Sequence, residues 1–327
     1  MAYYRLVYGP AHRAQGEVAY VLPRTVEVMD TTAEIRSVVG HLRAGDRVEV
    51  LAHTAHWSQL RLHGGPTGWV ESKYLLDAST YEHGTALFAS LEGYTPQAAG
   101  HLSTATSLHL EPARDSLVLV DLPQNQAVEM FERRLVERPV DATEPTAKGV
   151  RPHDVWYLVR AGSRAGWVLG RFVTLDVPSG IATYAQGINM VAWLVLKTVD
   201  DGGTSVPEYL VADRIGGGEA DFNHIRVFTW WVKHHKYVTA YVESGLDGYF
   251  PMKVQQLKDP NYYARLSPYF RLRLVDENSH RYQKVYGLFD TIVSDIGTVD
   301  GWDSEAMPVW VSRKERAKEQ HLRRERP

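Results

Sequence analysis

The chain has no cysteine in its 327 residues. Disulfides, thiolate catalysis and cysteine metal sites are excluded together. It also lacks any apolar run near the roughly 18 residues of a membrane span, so no transmembrane segment is expected. The opening residues, Met1-Ala-Tyr-Tyr-Arg5, have no apolar h-region and no small-residue cleavage site. That leaves a cytoplasmic chain, or one whose leader lies outside this sequence. A surplus of one charge is missing too. A net charge of −3, from 36 Lys+Arg and 39 Asp+Glu, gives no long-range pull toward nucleic acid, and no nucleic-acid partner is expected.

What is present is the composition of an ordinary globular protein, 44% hydrophobic and 23% charged, with length for two or three domains. Charge concentrates only at the end. Arg313 to Pro327 hold seven Lys/Arg against three Glu, a charge of +4 that leaves −7 on the rest. The signs alternate at helical spacing, which predicts a solvated helix with Glu/Arg pairs.

One β-rich pattern occurs twice. Leu42 to Val50 aligns without a gap on Leu122 to Met130. Each stretch is followed by a strand that starts on tryptophan, a glycine turn, and a second tryptophan. The first is Trp57-Ser-Gln-Leu-Arg61-Leu with Gly68-Trp69-Val70, the second Trp156-Tyr-Leu-Val-Arg160-Ala with Gly166-Trp167-Val168. The tryptophans stand 12 residues apart in the first and 11 in the second. A repeat fixes the domain unit before any strand is assigned. Short alternating strands without a long helix predict a small barrel at 17–78 and another at 101–178. The second carries an insertion at 134–154, rich in proline and charge. Residues 1–16 form a lead-in, and 79–100 read as a linker with some local structure. From 181 to 312 the repeat stops. Long alternating segments joined by polar turns there, such as 224–232 with 237–242 and 270–275 with 281–289, predict a larger antiparallel sheet. Asp290 to Asp303 reads as a short helix or loop, and 313–327 as the charged tail. The fold class expected is all-β: two small barrels followed by a larger antiparallel β-sheet domain.

The pattern of Gly45-Asp46, Val48, Val50, Trp57, Leu60, Leu62, Gly68-Trp69-Val70, Tyr74 and Leu75 resembles bacterial SH3-like (SH3b) domains. Val128, Trp156, Val159, Gly166-Trp167-Val168 and Phe172-Val173 resemble it again, with Gln126 in place of the acid. The resemblance implies a module of the bacterial envelope, periplasmic or outer-surface, of the kind that binds peptidoglycan and often accompanies a cell-wall hydrolase. Some such modules occur in lipoproteins, held by a cysteine after the leader. No such cysteine is present here.

Alternation along the tryptophan strands places Leu60 and Leu62, and Val159, on the core face. Trp57 and Arg61, and Trp156 and Arg160, then fall on the outer face. An exposed indole beside a guanidinium could stack on a sugar or take a peptide carboxylate. The competing expectation is that Trp57 folds over the barrel end and Arg61 covers it. Trp69 and Trp167 are expected inside. The ligand-binding residues expected are Trp57, Arg61 and Tyr74 on one surface, and Trp156 and Arg160 on the other.

The histidines have no metal-ligand spacing: His234 and His235 are adjacent, and His53, His56 and His63 fall on separate segments. Asp213, Glu219, Asp221, Glu243, Asp247, Asp290, Asp295 and Asp303 are candidate carboxylates, but no spacing selects a catalytic pair. Gly216-Gly-Gly218 is not followed by a helix and makes no phosphate loop. Ten Trp and Tyr between Trp230 and Tyr286, with Arg271, Arg273 and Lys284, suggest a basic aromatic sheet face for an anionic glycan or peptide, or for an interdomain contact. No catalytic residue, metal or cofactor is expected. The function expected is non-catalytic envelope binding, with a cell-wall polymer or an envelope protein as partner. The alternatives are a cell-wall hydrolase acting through 181–312, and a scaffold for a protein partner.

Overall fold

The computed structural model of the chain describes residues 12–62, 64–138, 153–185, 189–216, 218–256 and 268–308. The tail from Arg313, most of the lead-in, the insertion over 139–152, His63, Tyr262 and Tyr263 lie outside the described residues. The described chain is nearly all β, in three antiparallel sheets of seven strands each.

The first sheet comprises β1 (His12–Val21), β2 (Thr25–Met29), β3 (Val38–Arg43), β4 (Arg47–His53), β5 (Trp57–Arg61), β6 (Thr67–Glu71) and β7 (Leu75–Asp77). Their order is β3-β2-β6-β5-β4-β1-β7. Period-two alternation builds it. Val26 and Val28 of β2, Val48 and Val50 of β4, and Leu60 of β5 turn inward to one core. Ser58 shares the inward face of Leu60, and its hydroxyl meets that of Ser72 at 2.8 Å. Gly45 turns the chain between β3 and β4 at φ +86°, and the Asp46 carboxylate accepts the Arg43 N–H there (2.8 Å). Gly68 is required by packing. A Cβ on it would lie 2.4 Å from Val28 Cγ1.

After β7 comes α1 (Ala78–Ser90), where the sequence suggested a linker. The Asp77 side chain caps it by accepting the Thr80 N–H (2.9 Å). Its apolar residues run consecutively from Ala86 to Ala89 rather than at helical spacing, so periodicity does not reveal it.

The second sheet holds β8 (Ala98–Leu102), β9 (Thr106–His109), β10 (Val118–Leu122), β11 (Ala127–Glu137), β12 (His153–Ala161), β13 (Arg164–Leu169) and β14 (Val173–Leu175). Its order, β10-β9-β13-β12-β11-β8-β14, matches the first sheet strand for strand. Gly166 stands where Gly68 does, and its Cβ would meet Leu108 Cγ at 2.6 Å and the His109 carbonyl at 2.7 Å.

A four-residue helix, α2 (Ser179–Ala182), leads into the third sheet: β15 (Asn189–Asp201), β16 (Thr204–Arg214), β17 (Phe222–Trp231), β18 (Lys236–Gln255), β19 (Tyr269–Val275), β20 (Arg281–Phe289) and β21 (Ile292–Asp300). They pair in chain order. The segment expected as a short helix or loop at 290–303 instead supplies β21, paired along β20. Its Ile292-Val293, Ile296 and Thr298-Val299 suit a strand, but intervening Asp and Gly residues mask the pattern.

Two compact units result: Met1–Glu92 with Ala105–Pro123 and Ser163–Trp167, and Gly93–Thr104 with Gln124–Gly162 and Val168–Pro327. Within the second, one apolar core runs from Ala98 and Met130 through Ile181 to the strands of the third sheet. Gln97, fully buried, donates to the Met252 carbonyl (3.2 Å) and accepts the Met252 N–H (2.8 Å).

Candidate functional site

The outer face of the first sheet is open. Register sets Trp57 opposite Glu71, Gln59 opposite Trp69, and Trp69 beside Met29. Leu60 and Val70 point inward, so Trp57, Gln59 and Trp69 share the other face, and all three are half-buried. The two indoles are diagonal neighbours across a strand pair, about 7–8 Å apart at their backbones. Trp69, expected inside the barrel, therefore belongs to the outer face. Gly68, not the tryptophan, occupies the inward position beside Val28.

Trp57 is held at the strand entry by Thr54, whose hydroxyl accepts the Trp57 N–H (3.1 Å) and donates to the Trp57 carbonyl (3.2 Å). The loop between β2 and β3 reaches back over this face. Asp30 closes the loop: its N–H donates to the Ser37 carbonyl and its carboxylate accepts the Ser37 N–H, both at 2.9 Å. Arg36 lays its guanidinium 4.8 Å from the centre of the Trp57 ring, within cation–π range. Ile35 beside it is 93% exposed, and Val38 is 46% exposed. Arg36 and Ile35 escape a strand-by-strand reading because they sit in the loop. The sequence signal was only an apolar residue and an arginine between turn residues.

Arg61 was expected to pair with Trp57. Its Nε instead bonds the Glu49 carboxylate on the neighbouring strand at 3.1 Å. Tyr74 packs against the barrel core with Lys73 4.9 Å over its ring. A hydrogen bond to Glu71 raises the Lys73 pKa above its ordinary value. Arg61 thus stays exposed on the outer face with Trp57 but is bound to Glu49, Tyr74 packs against the core, and the cation on the Trp57 ring is Arg36.

The second surface, Trp156 with Arg160, does not form. Trp156 is 1% exposed and Trp167 4%. Asp154 and Leu158 are buried in line with Trp156, so the outer row of β12 is covered. Arg160 repeats the bond of Arg61: its Nε bonds Glu129 at 2.6 Å, and its guanidinium lies 5.2 Å over the Phe131 ring. Two sheets of the same strand order therefore differ in one respect that matters for binding. One outer face is open and the other is closed.

Asp213 and Glu243 of the third sheet are used internally. Asp213 takes two bonds from Arg226 (2.7 and 2.8 Å) and meets His224 at 2.9 Å. Glu243 accepts from Tyr241 (2.7 Å), Tyr286 (2.6 Å) and Lys284 (2.5 Å). Burial pushes the Glu243 carboxyl up, but these bonds outweigh it and hold it below its usual range. Arg271 is buried and donates to the carbonyls of Ser304, Glu305 and Ala306. The basic aromatic face suggested by the sequence is in this part an internal network.

Residues 36–75 match the bacterial SH3 domain family. That stretch forms one bacterial SH3 domain and contains Arg36, Trp57, Trp69 and Tyr74. No curated protein sequence matches the chain. Among solved structures the chain is similar to NlpC2 from Trichomonas vaginalis, at 10% identity over 71% of this chain and 97% of that one, with a TM-score of 0.18. It is similar also to NlpC1 from Trichomonas vaginalis, at 9% identity over 72% and 93%, TM-score 0.18. A third is an NlpC/P60 family protein from Bacillus cereus ATCC 10987, at 10% identity over 77% and 98%, TM-score 0.19.

Proposed function

We propose that the chain is a non-catalytic binding protein of the bacterial envelope, and that its bacterial SH3 domain holds a cell-wall polymer on the open face of the first sheet. The observation that carries this reading is the pair of half-buried indoles, Trp57 and Trp69, on one face with Arg36 stacked on the first. An indole face stacks on the apolar face of a sugar ring. The guanidinium beside it takes a carboxylate of the same polymer. On this reading the second sheet, with the same strand order and the same inward glycine before its strand tryptophan, is a second domain of the same kind whose outer face is taken up by packing. One binding face per chain, rather than two, is the consequence. Arg61 and Arg160 serve their own cross-strand pairs.

The test is retention on purified sacculi. Trp57→Ala combined with Arg36→Ala should reduce retention by about tenfold or more, as expected when a stacked aromatic and its cation are removed. Retention equal to wild type would end the assignment. Clearing of sacculi by the purified chain in a zymogram would overturn the non-catalytic part.

A further inference from the structure

A cleft of about 240 Å3 lies within the first compact unit, and none of Arg36, Trp57 and Trp69 lines it. Its walls come from three places. Leu22, Ala44 and Leu76 belong to the first barrel, Tyr81 and Phe88 to α1, and Leu119 with Arg164 to β10 and the start of β13. The walls are fixed from behind. The Tyr81 ring stacks on Tyr20 at 4.0 Å with 5° between the planes. A Cβ on Gly84 would meet Leu119 Cδ2 at 2.9 Å, so helix and strand already touch.

The lining is mostly apolar, with one charge. No Asp or Glu lines the cleft. Arg164 donates to the Leu22 carbonyl, and it has no carboxylate partner among the described residues. Burial depresses its pKa. A guanidinium carries five N–H donors and stays protonated, so a single carbonyl leaves most of its capacity unused. A cation taken partly out of water without a counter-charge is costly, and an anion in the same place offsets that cost.

We propose that this cleft binds a small carboxylate with an apolar body, the carboxylate on Arg164 and the body against Leu22, Leu76, Phe88 and Leu119. The carboxylate matches the planar fork of the guanidinium. The volume falls below the roughly 300–1,000 Å3 of drug-sized pockets, which limits the ligand to one short chain or one residue at a peptide end. Two sources share this chemistry, a short aliphatic acid and the free C-terminus of a peptide. The site does not depend on polymer binding at Trp57.

The experiment is calorimetric titration of the full chain with four compounds: hexanoate, hexylamine, N-acetyl-leucine and N-acetyl-leucinamide. Saturable binding of at least one acid, absent for the amine and the amide, supports the site, and the tighter acid names the source. Arg164→Met should weaken that binding about tenfold or more. Thr85→Trp, which fills the cleft from an exposed position on α1, should abolish it while Arg164 stays in place. The proposal is overturned if neither acid binds, if the amide binds as well as its acid, or if binding survives both substitutions unchanged. The comparison of acids with neutral analogues uses the wild-type chain, so it decides even where a variant fails to fold. Sacculus retention of Arg164→Met should match wild type, which separates this site from the indole face.

Discussion

Trp57 and Trp156 occupy equivalent positions in strands of equivalent order, and their surroundings decide their roles. Trp57 is half-buried with a cation on its ring, while Trp156 is sealed at 1% exposure. Removing a buried indole leaves a void that the fold closes only in part. Trp156→Ala should therefore lower stability by about 3–5 kcal/mol, measured by urea unfolding. Trp57→Ala should cost well under half of that and act on binding instead. Equal losses for the two variants would contradict the difference in environment. The sequence showed which residues of these strands point inward, because alternation is a property of one strand. It did not show Trp156 buried, because nothing in a strand reports whether a second layer covers its other face. The Arg61–Glu49 and Arg160–Glu129 pairs escaped notice for a related reason. Each depends on cross-strand register, which the spacing of a single strand does not contain.

At the scale of elements, alternation made the strands around the tryptophans legible, but only Trp57 starts its strand, and Trp69, Trp156 and Trp167 lie inside β6, β12 and β13. Gly68 and Gly166 add a physical reason for the pattern. In both sheets the glycine is the inward residue of its strand, pressed against Val28 in one and Leu108 in the other. The adjacent tryptophan is thereby directed to the outer face. Gly68→Ala and Gly166→Ala should each destabilise the chain by about 1–3 kcal/mol through overpacking, in urea melts. The Gly166 variant should suffer more, since its Cβ would meet backbone, the His109 carbonyl, at 2.7 Å, closer than the 3.0 Å at which a Cβ on Gly68 would meet the Met29 carbonyl. Two neutral variants would show that the close approach is not needed. The elements the sequence did not reveal, α1 and β21, have weak periodicity. They are ordered by what they pair with, a cap at Asp77 for one and the length of β20 for the other.

At the scale of the molecule, the core of the third sheet does not stop where the repeat pattern stops. It continues into Ala98 and Met130 of the second sheet. At the same junction Arg133 bonds Asp221 at 3.1 Å, with both side chains buried. Burial raises the Asp221 pKa to about 6, against the opposing pull of the Phe250 N–H and Arg133. A carboxyl whose folded pKa lies above its unfolded value of 3.8 binds protons better in the folded chain. Its contribution is fully present below the unfolded pKa and is lost as pH rises through the folded one. On this group alone, stability should fall by roughly 1–3 kcal/mol between about pH 4 and about pH 7.5. Asp221→Asn removes the titration. It also leaves Arg133 without its charge partner, a cost of about 3–5 kcal/mol that does not vary with this group's protonation. The stability of wild type relative to Asp221→Asn should therefore decline as pH rises across that window, followed by urea unfolding at each pH. A difference that stays flat would mean that the Phe250 N–H and Arg133 together just offset burial, leaving the Asp221 pKa at its unfolded value. A difference that grows with pH would mean the ion pair, rather than desolvation, governs the junction between the second and third sheets.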